Sequence, residues 1–194
     1  MSPLLQRRQG ALPSTPATAP LPKTMHSRPD GSSGFLEFQD VGQVFQTQRG
    51  PFEALRDINL SVRQGEFLCV IGHSGCGKST LLNMVSGFLR PSSGQVTLHG
   101  QPIEKPGPDR MVVFQNYSLL PWKTVWENVE LAVRAARPEL PAPSRRQVVE
   151  HHLEMVHLLD ARDKRPPQLS GGMRQRVALA RALAVNPAVL AGAR

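Results

Sequence analysis

Apolar and polar residues follow short-range patterns that predict strands in the first part of the chain. Ala54–Val62 alternates apolar and polar residues, as a half-buried strand does. Phe67–Ile71 is apolar throughout, which is typical of a strand covered on both faces. Further short strands are predicted at Phe35–Phe38, Val41–Gln46, Val96–Leu98 and Met111–Phe114.

Three other segments have the period of a helix. One follows a glycine-rich loop and runs from about Lys78 to Phe88. A second is predicted to open at Ser144, which forms a capping-box pattern with Gln147, and to end near Ala161. The third runs from about Gly172 to Val185. The apolar stripe of the second helix is formed by Val149, Leu153, Val156 and Leu159. That of the third is formed by Met173, Val177, Ala180 and Ala184.

Charge is distributed unevenly along the 194 residues. The chain has 23 Lys and Arg against 15 Asp and Glu, a net charge of +8. Residues 1–34 carry +3, residues 164–194 carry +6, and residues 35–163 carry −1. A basic balance invites a nucleic-acid hypothesis. The sequence shows no aromatic-interleaved basic stripe and no recognition helix, so we expect no nucleic-acid partner.

The first 34 residues differ in composition from the rest. They contain six of the 18 prolines and few apolar residues. Such a segment cannot bury enough surface to offset the entropy of ordering, so we expect a disordered tail over residues 1–34. Hydrophobic residues make up 40% of the chain, which is enough for a globular core, and no apolar run approaches the roughly 18 residues of a membrane span.

A phosphate-binding loop is predicted between the Phe67–Ile71 strand and the helix after it. The sequence GHSGCGKS matches G-x-x-x-x-G-K-[ST], and both flanking elements fit. Glycines let backbone N–H groups approach phosphate oxygens, and Lys78 supplies a point charge. Ser79 offers a hydroxyl to Mg²⁺ and Thr80 a contact to the α-phosphate. The predicted nucleotide-binding residues of this loop are Gly72, His73, Ser74, Gly75, Cys76, Gly77, Lys78, Ser79 and Thr80, with His73 and Cys76 at variable positions.

A second glycine-containing motif, LSGGMRQR, opens the last predicted helix. Ser170 can cap that helix, and Gly171 and Gly172 leave backbone N–H groups accessible to an anion. The alternative is an ordinary helix cap with a flexible entry.

Together, the two motifs resemble those of the ATP-binding subunits of ABC transporters, over residues 35 to about 190. The resemblance implies an α/β P-loop NTPase core with an antiparallel β subdomain and a helical subdomain at about 117–165. It implies ATP and Mg²⁺ as ligands, with Gln115 as the Q-loop glutamine on Mg²⁺ beside Ser79. Phe45 stands where the family stacks an aromatic on adenine. Ser170, Gly171, Gly172 and Gln175 would belong to the signature sequence.

The sequences VIGHSGCGKSTLLNMVSGF and GPDRMVVFQNYSLLPW are similar to those of the nitrate, sulfonate and taurine importers, and most of all to those of the nitrate/nitrite/cyanate branch. That resemblance implies a head-to-tail pair of nucleotide-binding subunits, with each ATP between one phosphate loop and the partner's signature helix. It also implies membrane permease subunits, contacted through Tyr117 to Trp126, and indirectly a periplasmic solute-binding protein. The subunit would lie on the cytoplasmic face of the inner membrane.

The sequence departs from this family after Asn186-Pro187. In the family, a strand follows there and ends in Asp-Glu. The Asp holds Mg²⁺ through water, the Glu is the general base for hydrolysis, and a switch histidine follows later. Here the residues are AVLAGAR, and the last acidic residue and the last histidine are Asp163 and His157. We therefore expect residues 35–194 to form an incomplete nucleotide-binding domain with no catalytic residue of its own, uncovered apolar surface at Phe67–Ile71, and little or no ATPase activity.

Two functions of different classes stay open. The first is an importer ATPase subunit that couples ATP binding and hydrolysis to the uptake of a small anion such as nitrate, or of sulfonate or taurine. The second is a fragment or regulatory module that binds nucleotide without hydrolysis.

Overall fold

The computed structural model describes residues 34–192. The prediction of a disordered tail falls on residues that, apart from Gly34, lie outside this range. The described part divides its apolar side chains between two clusters, one built on a sheet and one on helices.

The sheet cluster is organised around an antiparallel sheet with the strand order β2-β1-β3-β4. Its strands are β1 (Leu36–Thr47), β2 (Gly50–Val62), β3 (Ser93–Leu98) and β4 (Gln101–Pro102). The sequence predicted two strands where β1 runs without a break. The predicted break coincides with a change of register in β1 between Phe38 and Val41, where Asp40 has a φ of 49°.

The first helix packs its apolar face on this sheet. Helix α1 (Lys78–Val85) buries Leu81, Met84 and Val85 in the same cluster as Leu36, Phe38 and Val41. Gly87 follows the helix with a φ of 77°, and a Cβ there would lie 2.4 Å from the carbonyl oxygen of Lys105. Only glycine fits this close approach, and its positive φ allows the chain to turn sharply after α1.

A separate two-stranded parallel sheet contains β5 (Arg110–Val113) and β6 (Val189–Gly192). The predicted strand at Phe67–Ile71 is wrong for residues 34–192, since no strand there pairs with it. Phe67 is 93% exposed and Ile71 is 87% exposed, so the expected uncovered apolar surface is confirmed. An apolar segment forms a strand only where a neighbour takes its backbone hydrogen bonds, and β6 pairs with β5 instead.

The second cluster lies among three helices, α2 (Val125–Ala136), α3 (Ala142–Met155) and α4 (Gly171–Leu183). Val129, Val149 and Val177, one from each helix, are fully buried there. The predicted stripe of α4 is confirmed, with Val177, Ala180 and Ala184 buried and Met173 packed at the edge. Among residues 34–192, no helix has the length and apolar character that crossing a bilayer requires.

The capping box lies on a different helix from the one that the sequence predicted. Ser144 sits inside α3, whose N-cap is Pro141 and carries no side-chain bond. The box is at the start of α2, where the Thr124 hydroxyl accepts from the backbone N–H of Glu127 at 3.2 Å, and the Glu127 carboxylate accepts from that of Thr124 at 2.8 Å. This second bond lowers the pKa of the Glu127 carboxyl from its usual value.

Replacing the Thr124 hydroxyl should destabilise the helical cluster. We expect Thr124→Ala to lower the free energy of unfolding by about 1 kcal/mol, because one backbone N–H of α2 loses its acceptor. Ser144→Ala is the matched control, and we expect it to change that free energy by no more than about 0.5 kcal/mol. Urea denaturation followed by circular dichroism measures both, and equal losses would contradict the assignment of the cap.

Candidate functional site: a glycine-rich loop and an exposed helix start

The glycine-rich loop owes its shape to left-handed residues that lead into α1. Gly75 and Gly77 have φ values of 82° and 94°. A Cβ on Gly77 would lie 2.6 Å from Cδ2 of Leu55 and 3.1 Å from the carbonyl oxygen of Ala54, so the loop packs directly on β2. A Cβ on Gly75 would meet nothing within 4 Å. The loop is therefore closely packed on its sheet side and open at Gly75.

Lys78 reaches back across this loop. Its Nζ donates to the carbonyl oxygens of Gly72 and His73, at 2.7 Å each, and lies 3.5 Å from Sγ of Cys76. The ammonium group is thus held against the backbone of the loop. A phosphate held by the loop would meet this positive charge, as the sequence predicted.

The start of α1 adds further donors to the same place. The helix has Gly77 as its N-cap and no side-chain capping bond, so no protein side chain occupies the positive end of its dipole. Ser79 is exposed in this first turn and Thr80 is half-buried. Open space at Gly75, the inward ammonium and the uncapped helix start fit a nucleotide's phosphate chain, with the Ser79 hydroxyl available to a hard cation.

Two further predicted residues lie outside the loop, one after β5 and one on β1. Gln115 is exposed in the turn after β5, where its amide oxygen could serve Mg²⁺. Phe45 is half-buried on β1, opposite Phe52 on β2. Phe52 is three residues, about 10 Å, from the Leu55 that packs on Gly77. Phe52 is thus an exposed aromatic opposite Phe45 that sequence reasoning missed, although its position just before the predicted Ala54–Val62 strand could have indicated it.

The signature motif lies at the start of α4, in the helical cluster. The Ser170 side chain caps α4 by accepting from the backbone N–H of Met173 at 3.3 Å, as expected. Gly171, Gly172 and Gln175 are exposed, and a Cβ on either glycine would meet nothing within 4 Å. The structure therefore places the two motifs that the sequence predicted to bind phosphate on separate clusters, and leaves the start of α4 exposed.

A guanidinium contact between α4 and the turn after Gln115 has no counterpart among the predicted site residues. Arg181 donates through Nη1 to the carbonyl oxygen of Ser118 at 2.7 Å and through Nη2 to that of Tyr117 at 2.9 Å. Burial lowers the pKa of this guanidinium from its usual value. No motif or spacing indicates a contact between residues more than 60 positions apart, so sequence reasoning had no signal for it.

Comparison with known families agrees with this architecture. The pattern of the family described as ABC transporter matches residues 55–191. This range contains the phosphate loop, Gln115 and the signature helix.

Among curated proteins, the chain is similar to two ATP-binding proteins of Synechococcus elongatus. It is 63% identical to the nitrate import ATP-binding protein NrtD over 179 residues, which are 92% of this chain and 61% of that protein. It is 51% identical to the bicarbonate transport ATP-binding protein CmpD, over 96% of this chain and 62% of that protein. The chain thus spans about three fifths of the length of these relatives.

Solved structures of ATP-binding cassettes share the fold. A dimeric post-hydrolysis state of the cassette MJ0796, bound to ADP and Pi, has a TM-score of 0.72 at 33% identity, over 81% of this chain and 72% of that one. The protein cbiO1 from Clostridium perfringens, part of the transporter complex cbiONQ, has a TM-score of 0.71 at 28% identity, over 83% and 65%. The motifs, the P-loop fold and the family match agree, and the chain belongs to the ABC transporter family.

Proposed function

We propose that this chain is the ATP-binding subunit of an ABC importer and holds MgATP on the loop between Gly72 and Thr80. The observation that carries the proposal is the position of Lys78, whose ammonium lies inside a glycine-rich loop at an uncapped helix start. Ser79 and Gln115 would serve Mg²⁺, and Phe45, with Phe52 opposite, would offer an aromatic surface to adenine.

A second copy of the chain would complete the binding site around the γ-phosphate. Ser170, Gly171 and Gly172 are exposed at a helix start that belongs to the other apolar cluster. A head-to-tail pair would bring this end of one copy to the phosphate loop of the other, and each nucleotide would be enclosed on both sides. A solved relative of the same fold is dimeric and bound to ADP and Pi, which supports this arrangement.

The transported solute would be a small inorganic anion. The relatives named above serve nitrate import and bicarbonate transport, and the first of them, at 63% identity, favours nitrate over bicarbonate, sulfonate or taurine. The solute would pass through permease subunits, supplied by a periplasmic solute-binding protein, with this subunit bound peripherally on the cytoplasmic side.

Exposed aromatic residues mark the surface that would meet the permease. Trp122 is 66% exposed in the predicted contact segment. Phe88 and Phe114, with ring centroids 6.2 Å apart, are also exposed, Phe114 directly before Gln115. Exposed aromatic rings are enriched at protein interfaces, so contact here would lie next to the proposed Mg²⁺ ligand.

A second candidate is nucleotide binding without hydrolysis. It is favoured by β6, whose residues Val189-Leu190-Ala191-Gly192 contain no carboxylate that could orient water. Equilibrium binding of labelled ATP, measured beside phosphate release on the same sample, separates the two. Binding with turnover that Lys78→Ala abolishes would support the first candidate, and binding without turnover the second.

Removing the Lys78 charge should weaken nucleotide binding. We expect Lys78→Ala to raise the Kd for MgATP about 100-fold, or about 2.7 kcal/mol, because a charge-assisted contact to phosphate is lost. Lys164→Ala, which removes an exposed lysine in the helical part, should leave the Kd within about twofold. Titration calorimetry measures both, and an unchanged Kd in Lys78→Ala would contradict the assigned loop.

A mixture of two defective variants tests the head-to-tail pair. Lys78→Ala damages the loop, and Gly171→Asp puts a carboxylate where the partner's phosphate would lie, so neither variant alone should form an ATP-dependent dimer. The mixture would contain one intact composite site, with Lys78 from one copy and Gly171 from the other. We expect the mixture to recover ATP-dependent dimers by analytical ultracentrifugation. If the mixture, like each variant alone, forms no ATP-dependent dimers, the two motifs do not act in trans.

Uptake in cells tests the solute. Deleting the gene in the source organism should abolish high-affinity uptake of isotopically labelled nitrate. The wild-type gene should restore uptake, and the Lys78→Ala gene should not. Loss of bicarbonate or taurine uptake with nitrate uptake intact would contradict the proposed solute.

A further inference from the structure

His73 carries the only imidazole of the glycine-rich loop between Gly72 and Thr80. The residue is exposed. Its Nδ1 lies 2.9 Å from the carbonyl oxygen of Ser74, the next residue in the chain. This contact sets the orientation of the ring, because the Nδ1 edge faces the loop backbone and the Nε2 edge is turned away from that bond.

The partner of Nδ1 decides where the ring carries its proton. A carbonyl oxygen can only accept a hydrogen bond, so Nδ1 is the donor and holds a proton. In the neutral ring, Nε2 then has a lone pair and no proton. Among residues 34–192, Nε2 of His73 has no hydrogen-bond partner. The free edge of a neutral His73 is therefore an acceptor, and only the imidazolium can donate from it.

This tautomer has a direct consequence for a bound phosphate. Phosphate oxygens accept hydrogen bonds, so the lone pair on Nε2 of a neutral His73 would repel them. Protonation reverses the interaction, because the imidazolium offers both an N–H donor and a positive charge. A contact between Nε2 and phosphate thus requires a proton that the free loop does not need.

The backbone of His73 belongs to the part of the loop that is proposed to receive phosphate. Its carbonyl oxygen accepts from Nζ of Lys78 at 2.7 Å and from the backbone N–H of Cys76 at 3.4 Å. The chain from His73 to Cys76 is therefore a turn that Lys78 holds closed. Gly75 lies inside this turn and has open space where a Cβ would be. A phosphate bound at this turn would be close to both Lys78 and His73.

The charges near His73 favour its protonation only when phosphate is present. The ammonium of Lys78 is bonded to the His73 carbonyl oxygen, and the thiol of Cys76 lies 3.5 Å from that ammonium. Helix α1 has no charged side chain besides Lys78, and β6 has none. On β2, where the loop packs, Glu53 and Arg56 form an ion pair with each other. Without nucleotide, the ammonium opposes a second positive charge, and the phosphates reverse that balance.

We propose that His73 binds a phosphate oxygen of the nucleotide through Nε2 as an imidazolium, so that the binding of MgATP takes up a proton. This inference rests on the proposed function, because it adds a ligand to the loop that holds MgATP. Histidine changes its charge near neutral pH, and here the protonated ring is the form that binds. MgATP therefore binds more tightly as the pH falls through the neutral range.

Titration calorimetry of MgATP into the full 194-residue chain measures the proton uptake. The uptake is the slope of the binding enthalpy against the ionisation enthalpy of the buffer, with Tris and PIPES as the two buffers. We expect wild type near neutral pH to take up about half a proton more than His73→Asn. The asparagine amide can still donate to the carbonyl oxygen of Ser74, but it has no proton to gain.

His99 supplies the matched control. It lies in the turn between β3 and β4, has a φ of 51° and packs edge-on against Phe35. Asparagine tolerates this left-handed conformation, so His99→Asn makes the same change of residue type without strain. Because His99 is not part of the glycine-rich loop, His99→Asn should keep both the proton uptake and the Kd of wild type.

The pH dependence of the Kd is a second readout. From about pH 8 to about pH 6, we expect the Kd of wild type to fall about tenfold more than that of His73→Asn. Protonation of ATP itself is common to all variants and cancels in this comparison. Equal uptake and equal pH dependence in wild type and His73→Asn would overturn the inference while MgATP binding, and with it the proposed function, stands. Absence of MgATP binding in wild type would contradict both.

Nuclear magnetic resonance of the histidine rings decides the question if His73→Asn loses the structure of the loop. Long-range proton–nitrogen spectra of wild type give the protonation of each ring nitrogen, and the His73 signals are those missing from His73→Asn. We expect a proton on Nδ1 alone without nucleotide, and protons on both nitrogens in saturating MgATP. A ring that stays neutral in saturating MgATP, or whose single proton lies on Nε2, would overturn the inference.

Discussion

The close packing of Gly77 against β2 is the constraint on which the proposed nucleotide site depends. A side chain there would have to displace Leu55 and the backbone of Ala54, and the φ of 94° would strain any residue with a Cβ. This contact fixes where α1 begins, and the start of α1 fixes Lys78. It also joins the loop to the strand that carries Phe52, so the phosphate-binding and aromatic parts of the site are positioned by one hairpin.

The separation of the apolar core into two clusters has an equally direct consequence. The phosphate loop depends on the sheet cluster, whereas Ser170 caps a helix whose buried face belongs to the helical cluster. The two helix starts proposed to bind phosphate therefore lie on separate cores, and both are open.

Local chemistry decided which features could be predicted from the sequence. The glycine-rich loop that leads into a helix at Lys78, the Ser170 cap and the buried face of α4 depend on residues within a few positions of each other, and their patterns predicted these structural features correctly. Phe67–Ile71 has the composition of a buried strand, but a strand needs a neighbour that composition cannot supply. Ser144 and Thr124 show the same limit at helix ends, because both begin a capping-box pattern and only the position of the helix start selects between them.

Contacts between distant parts of the chain account for the rest. Arg181 belongs to a helix whose apolar stripe was predicted, yet its function depends on two carbonyl oxygens whose direction is set by left-handed residues far away in sequence. Nothing about Tyr117 or Ser118 as residue types indicates a positive φ. The backbone geometry of that turn therefore had to be seen before Arg181 could be interpreted as more than a charge on a helix. Because a bond to a backbone carbonyl depends on the acceptor's geometry and not on its side chain, such contacts leave no trace in a single sequence.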